Sequence, residues 1–215
     1  MCGIVGYLGF KDPGGVIVEG LKRLEYRGYD SAGICLLTGK GLNTCRVKGR
    51  IKELEKKTSG RDLNSTIGIG HTRWATHGAP LEKNAHPHVD CKDEFAVVHN
   101  GIIENHAYLR KELEQKGHKF SSDTDTEVIV HLIAEYFKGN VEEAFMKALN
   151  DLEGTYGIAM VSKHSPEMIY GARNGSPLIL GVGENEYIIA SDVSAIIEHT
   201  KKIVYLDDNE MVCVG

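Results

Sequence analysis

Cys2 stands second in the run Met1-Cys2-Gly3-Ile4-Val5-Gly6. Cysteine is small, so removal of the initiator methionine before it is expected. The new terminus then holds a thiol and an α-amino group on one residue. An α-amine has a pKa of about 7.7 to 8.0, so a sizeable neutral fraction exists near pH 7. That amine can serve as the thiol's general base, directly or through one water, and no catalytic histidine is then required. With Met1 retained, the amine is displaced by one residue and the base is lost. The plain alternative is a second-position cysteine of no consequence.

Four further runs concentrate polar chemistry. Leu24 to Gly33 carries Glu25, Arg27, Tyr29, Asp30 and Ser31 around an Arg-Gly step, where a helix gives way to a strand. Gly70 to Gly78 holds Arg73, Thr76, His77 and the chain's single tryptophan, Trp74. Arg73 offers a planar fork suited to a carboxylate, and Thr76 and His77 offer further hydrogen bonds. Asn100-Gly101 is a common turn signal, but it also supplies what an oxyanion needs: a side-chain NH2 and an unobstructed backbone N–H. Ser122 to Glu127 reads as a helix capping segment, or as a place where Asp125 faces a pocket and binds an ammonium. Each run alone has an ordinary structural explanation. Together they offer a carboxylate clamp, an ammonium partner, a thiol for a carbonyl and donors for its oxyanion. That set describes an amino acid with a side-chain acyl group, such as glutamine.

The elements that must position these residues follow from apolar periodicity. Gly3 to Leu8 is short and β-branched and predicts a buried strand. Gly14 to Tyr26 repeats apolar residues at helical spacing. Ser31 to Leu37 and Asn43 to Lys48 predict a hairpin across Thr38-Gly39-Lys40-Gly41. Ile51 to Lys57 predicts a short helix, and Thr66 to Thr72 and Phe95 to His99 two more strands, the latter ending at Asn-Gly. Helices are expected at Glu104 to Lys116, Ser122 to Lys138 and Val141 to Leu152. Strands then return at Gly157 to Ser162, Met168 to Ala172, Leu178 to Val182 and Tyr187 to Ala190. A short helix near Ser194 to His199 and two last strands complete the chain. Strands, then helices, then strands is α+β order, and the economical form is two face-to-face sheets with helices outside.

Bulk composition narrows the function classes. The 215 residues are 41% hydrophobic and 26% charged, with a net charge of -5. These values suit one globular domain over 1–215 and argue against a nucleic-acid partner, which usually needs a basic face. No apolar run approaches the roughly 20 residues needed to cross a bilayer, and the N-terminus lacks a signal-peptide pattern, so the cytoplasm is the expected compartment. The five cysteines form no C-x-x-C pair, so neither a disulfide framework nor a zinc ribbon is expected. Cys35, Cys45 and Cys213 read as small buried hydrophobes and Cys91 as an exposed bystander. The His86-Pro87-His88 run reads as a loop rather than a metal site. No cofactor and no metal is expected.

The runs Cys2-Gly3-Ile4-Val5-Gly6, Arg27-Gly28-Tyr29-Asp30-Ser31-Ala32-Gly33, His71-Thr72-Arg73-Trp74-Ala75-Thr76-His77-Gly78, Asn100-Gly101-Ile102-Ile103-Glu104-Asn105 and Thr124-Asp125-Thr126-Glu127 resemble, in order, those of a known family. It is the N-terminal glutaminase domain of the glutamine–fructose-6-phosphate aminotransferases, within the wider N-terminal-nucleophile amidotransferases. The resemblance implies a four-layer αββα sandwich of N-terminal-nucleophile hydrolase type. It implies hydrolysis of L-glutamine to glutamate and ammonia through a cysteinyl thioester, with Cys2 as nucleophile and Asn100 and Gly101 as the oxyanion hole. It further implies that Arg73, Thr76 and His77 hold the α-carboxylate end and Asp125 the α-amino end. Arg27 would order the nucleophile's surroundings, Trp74 would sit on a mobile loop over glutamine, and His86 is similar to a residue near the partner domain. In that family the ammonia converts fructose 6-phosphate to glucosamine 6-phosphate in two downstream sugar-phosphate isomerase domains. The chain stops at Gly215, so an excised domain is the expectation, and a homo-oligomer is left open. Two alternatives stand beside this reading: a non-catalytic glutamine-binding module, and the same chemistry serving a phosphoribosyl or aspartyl acceptor.

Overall fold

The computed structural model describes residues 2–59, 64–74 and 79–215. Two antiparallel sheets form its centre. The first contains β1 (Gly3–Gly9), β2 (Ser31–Thr38), β3 (Gly41–Lys48), β4 (Ile67–Arg73), β9 (Ile179–Val182), β10 (Glu186–Ala190) and β11 (Ile203–Tyr205). The second contains β5 (His88–Val89), β6 (Phe95–Ile103), β7 (Gly154–Ser162), β8 (Ile169–Asn174) and β12 (Glu210–Val214). Helices α1 (Pro13–Leu24) and α2 (Ile51–Thr58) precede β4, and α3 (His106–Gln115), α4 (Glu127–Tyr136) and α5 (Val141–Asp151) follow β6.

Three apolar layers hold the four structural layers together. Ile17, Leu21 and Leu24 of α1 and Ile51 and Leu54 of α2 pack on Val5, Tyr7, Ile34 and Ile188 of the first sheet. Ile4, Ile69, Ala96, Val98, Ala159 and Ile189 interdigitate between the sheets. Leu109, Ile129, Ile133, Phe145 and Ala148 close the outer face of the second sheet against Val97, Ile158 and Met160. Strands buried on both faces read as continuous apolar runs, which is why β1 and β7 lack polar alternation. The αββα architecture expected from the sequence is the one observed.

Four expectations are corrected. Asn100-Gly101 is not a turn: β6 continues to Ile103, with Asn100 opposite Gly157 and Gly101 opposite Tyr156 on β7. Gly101 has φ +129, and a Cβ there would lie 2.0 Å from the Thr155 carbonyl oxygen, so only glycine keeps the ladder closed. The helix expected from Ser122 begins instead at Glu127. The preceding polar residues spend their hydrogen bonds on the Glu127 carboxylate, which accepts from the Ser121 and Ser122 backbone N–H and hydroxyl groups at 2.6 to 2.9 Å. Of the run expected as a loop, His86 does lie in one, although buried, but His88 starts β5. The helix expected near Ser194 to His199 is a 3-10 turn over Val193–Ala195. No helix among the described residues is long and apolar enough to cross a membrane.

Candidate active site

Cys2 lies at the entrance to β1, the central strand of the first sheet, paired with β4 on one side and β10 on the other. Gly3 opposes Thr72, and a Cβ on Gly3 would meet Leu24 Cβ at 2.7 Å and Thr72 Cγ2 at 2.8 Å. The glycine after the thiol therefore lets α1 and β4 close around it. The Cys2 Sγ accepts a hydrogen bond from the Trp74 backbone N–H at 3.2 Å and lies 3.6 Å from the Trp74 carbonyl oxygen. Burial pushes the Cys2 thiol up, against the Trp74 N–H and the positive charge of Arg73. A thiol shifted this way is largely protonated at neutral pH, so attack on a carbonyl requires a base. Among the described residues the hydrogen-bond partners of Sγ are the backbone groups of Trp74.

The Arg27–Gly33 run builds the platform for that Trp74 amide. Gly28 sits against the Arg73–Trp74 peptide, where a Cβ would lie 2.7 Å from the Arg73 carbonyl carbon. The Thr72 hydroxyl donates to the Gly28 carbonyl, and the Asp30 N–H donates to the Arg73 carbonyl at 3.0 Å. Tyr29 stands edge-on to Trp74 at 5.4 Å. Trp74 itself is 45% exposed, so its ring is available to a ligand rather than packed in the core. Arg27 is buried and donates to the Ser191 carbonyl at 3.2 Å and to Asp192 at 3.0 Å. Ser191 in turn holds Ile4 through both backbone and hydroxyl. Arg27 thus orders the start of β1.

Asn100 comes to Cys2 from the other sheet. Its Nδ2 donates to the Cys2 carbonyl at 3.1 Å, and its Oδ1 faces His71 Nε2 at 2.9 Å. A carbonyl can only accept, so the amide orientation is fixed and His71 must carry its proton on Nε2. His71 is buried, and burial pulls it down to about 3, so it stays neutral across the physiological range. One Asn100 N–H is used on Cys2, and the second has no hydrogen-bond partner among the described residues. Gly101 follows directly in β6.

Behind Asn100 lies a buried group of histidines. His86 stacks on His71 with centroids 4.2 Å apart and meets His88 edge-on at 4.8 Å. His99 lies on β6 next to Asn100. Its Nε2 donates to the Thr155 carbonyl at 3.3 Å, so its Nδ1 accepts from the Thr126 hydroxyl at 2.9 Å. His88 Nε2 hydrogen-bonds Thr124 Oγ1 at 3.0 Å. Burial lowers all four, His88 to about 3 and His86 well below its usual value.

Arg73 and Asp125 complete the site. Arg73 is buried and reaches the Ala79 carbonyl at 3.5 Å. Burial pulls its guanidinium below the usual value, and the nearby Cys2, Asp125 and Asp30 act in the opposite direction. Asp125 is buried too, and its Oδ2 accepts the Ile103 N–H at 2.9 Å, which ties it to the end of β6. Thr76 and His77 lie outside the described residues. The structure therefore gathers Cys2, Arg73, Trp74, Asn100, Gly101 and Asp125, with Arg27 as a support. His86 does not face a surface; it lies under His71. The residue that sequence reasoning passed over is His71. It sits two positions before Arg73 on one strand, hence on the same face, and that spacing was the available signal. A separate cleft of about 720 Å³, lined by Lys11, Asp12, Glu19, Asn43 and Glu55 among others, contains none of these residues.

Comparison with known proteins places this geometry in context. A glutamine amidotransferase domain model matches residues 71–198. The chain is 51% identical over 212 residues to a glutamine–fructose-6-phosphate aminotransferase (isomerizing) of Clostridium tetani, covering 99% of this chain and 35% of that protein. It is 54% identical over 212 residues to the protein of the same name from Thermococcus kodakarensis, covering 98% and 35%. The chain thus spans about a third of the length of the curated relatives it matches. Among solved structures it superposes on a glutamine phosphoribosylpyrophosphate amidotransferase from B. subtilis with a TM-score of 0.84 at 26% identity, covering 99% of this chain and 47% of that one.

Proposed function

The chain belongs to the glutamine amidotransferase domain family, and from that premise we propose that residues 1–215 form one glutaminase domain releasing ammonia from the side chain of L-glutamine. Cys2 is the nucleophile. The observation that carries this reading is the fixed Asn100 amide, with one N–H on the carbonyl of Cys2 and the other without a described partner, next to a residue whose thiol has only backbone groups as described partners.

The steps follow from the groups at hand. Removal of Met1 frees the Cys2 α-amine, which takes the thiol proton. The thiolate attacks the glutamine δ-carbon. The oxyanion is met by Asn100 Nδ2 and the Gly101 N–H, each donor worth about 2.7–4 kcal/mol of barrier. The amine returns the proton to the leaving nitrogen, ammonia departs, and a γ-glutamyl thioester remains. Water, deprotonated by the same amine, hydrolyses it to glutamate. Arg73, with Thr76 and His77, holds the substrate carboxylate, Asp125 holds its ammonium, and Trp74 covers it. His86 supports this wall through His71 rather than touching glutamine.

The full-length protein, in this reading, continues into isomerase domains where the ammonia converts fructose 6-phosphate to glucosamine 6-phosphate, in the cytoplasm. The acceptor assignment leans on about 50% identity to relatives of that name, against 26% to the phosphoribosyl enzyme. The test combines intact mass, labelling with an electrophilic glutamine analogue and ammonia release. Loss of Met1, a single label on Cys2 and loss of turnover in Cys2→Ala are expected. Saturable glutamine binding without turnover after Met1 removal would instead make the domain a binding module.

A further inference from the structure

On the outer side of the second sheet, three side chains from separate stretches converge. Cys91 lies in the turn between β5 and β6, His118 in the connection from α3 to α4, and His131 within α4. Their donor atoms all lie within 4.8 Å of one another. His118 Nδ1 and His131 Nδ1 are 3.3 Å apart, and Cys91 Sγ is 3.9 Å from His131 Nδ1.

The far nitrogens of both rings face carboxylates. His118 Nε2 lies 3.3 Å from Glu135 Oε2, and His131 Nε2 lies 3.6 Å from Glu127 Oε1. His118 Nε2 is within hydrogen-bonding distance of its carboxylate, which draws the ring proton there, whereas the buried His131 Nε2 makes no hydrogen bond among the described residues. The His118 Nδ1 lone pair then points at His131 Nδ1 across 3.3 Å, beside a polarisable sulfur. Either a proton on His131 Nδ1 or a bound cation reconciles two ring nitrogens at that distance.

We propose that Cys91, His118 and His131 bind one thiophilic d-block dication, of which zinc is the fitting case. Zinc bonds of about 2.0–2.1 Å to nitrogen and 2.3 Å to sulfur set tetrahedral edges of about 3.3 Å between nitrogens and about 3.6 Å between nitrogen and sulfur. The observed nitrogen pair is already at that edge, and the exposed Cys91, 3.9 Å from His131 Nδ1 and within 4.8 Å of the His118 donor, has to swing inward to complete the other two edges. Binding releases the Cys91 thiol proton to solvent. The Lys119 N–H, 3.2 Å from Sγ, then donates to the thiolate. The ring–carboxylate pairs supply the outer shell that orients histidine ligands in metal sites. Cys91 is exposed, so the fourth position is open to water.

The site would act as a clip. It joins two connections to α4, whose entrance carries Asp125, and so it fastens the ammonium side of the glutamine site from behind. The sequence reading, which expected no metal and took Cys91 as a bystander, had no view of this. Cys91, His118 and His131 are separated by 27 and 13 residues and form no ligand motif.

The experiment is cobalt substitution of the purified protein carrying Cys2→Ala, which removes the competing N-terminal thiol. One equivalent of Co²⁺ is expected to give tetrahedral visible bands and a thiolate-to-cobalt charge-transfer band, both displaced by zinc. Adding Cys91→Ser at the exposed ligand should abolish the charge-transfer band. Glu135→Gln, at the half-exposed outer partner, should weaken zinc roughly 10- to 100-fold. Zinc should raise the melting temperature of the parent and not of the Cys91→Ser protein. Absence of the charge-transfer band, or its survival in Cys91→Ser, would overturn the assignment and leave a hydrogen-bonded histidine pair as the explanation.

Discussion

If Asn100 is the oxyanion donor and His71 only aims it, their substitutions must be strongly coupled. Asn100→Ala removes one donor, which costs about 2.7–4 kcal/mol of barrier, or roughly 10²–10³ in kcat. It also strands the buried His71 Nε2–H, an unsatisfied donor worth about 1–3 kcal/mol of stability. His71→Leu keeps the donor but removes the acceptor-side partner at 2.9 Å. The remaining bond from Nδ2 to the Cys2 carbonyl contributes about 1 kcal/mol, too little to hold one amide orientation alone. Loss of about 1.4 kcal/mol of orientation is a tenfold fall in kcat. In the double variant there is no amide left to aim, so His71→Leu should cost nothing further. The assay is ammonia release, with kcat and KM for glutamine separated and melting temperatures measured as a control for folding. KM should move little in all three proteins, because neither residue grips the α-carboxylate or α-amine. A tenfold loss that persists in the Asn100→Ala background would show His71 acting independently and refute the aiming role.

Three other outcomes follow from the same geometry. The four buried histidines have pKa values below the unfolded value of about 6.5, so the unfolded chain binds more protons and stability falls as pH drops from 6.5 toward 3; His71 and His88, both near 3, lose about 2 kcal/mol each by pH 5, and urea unfolding at pH 7.5, 6 and 5 should show it, a flat profile being the contrary result. Gly101→Ala forces a Cβ to 2.0 Å from the Thr155 oxygen at φ +129, so a loss of about 2 kcal/mol or more is expected in the denaturation midpoint, and an unchanged midpoint would contradict the closed β6–β7 ladder. Arg73→Lys keeps the charge but loses the fork; KM for glutamine should rise roughly 10- to 100-fold with a smaller change in kcat, and an unchanged KM would remove Arg73 from the carboxylate.

What could be read in advance was whatever local periodicity controls. β1, the β2–β3 hairpin and α5 have uninterrupted apolar patterns, and their bounds came out within a few residues. Asn100-Gly101 was misread because its residue types favour a turn in isolation, whereas pairing with Gly157 and Tyr156 keeps both in a strand. The start of α4 was misplaced because Glu127 folds back on Ser121 and Ser122, a contact between residues the pattern treats as one helix. The identities of Cys2, Arg73, Asn100 and Asp125 were legible as chemistry. Of their supports, Arg27 was legible and the histidines were not. His71 matters only because β4 and β6, in different sheets, bring it against Asn100, and His86 moved from an expected interface into the core because it stacks beneath His71.

The run Thr124-Asp125-Thr126-Glu127 shows how closely these parts are interlocked. Thr124 bonds His88 and Thr126 bonds His99, so alternate hydroxyls fasten the segment to the buried histidines. Asp125, between them, accepts from the Ile103 N–H and acts on the Arg73 guanidinium. Glu127 points the other way: four donors from Ser121 and Ser122 hold it, and His131 lies against it. Burial opposes the charge of Glu127, but His131 and the serine donors outweigh it and keep its carboxyl well below the usual range. A charge held so firmly is a fixed electrostatic anchor for His131 and orients that ring's other nitrogen toward His118 and Cys91. One short segment therefore serves three environments: a buried histidine layer, the candidate site with its one carboxylate at Asp125, and an outer cluster of nitrogen and sulfur donors. Substitution of either threonine by valine would preserve shape yet leave a histidine nitrogen without its partner, so the segment's composition is set by these contacts rather than by helix capping.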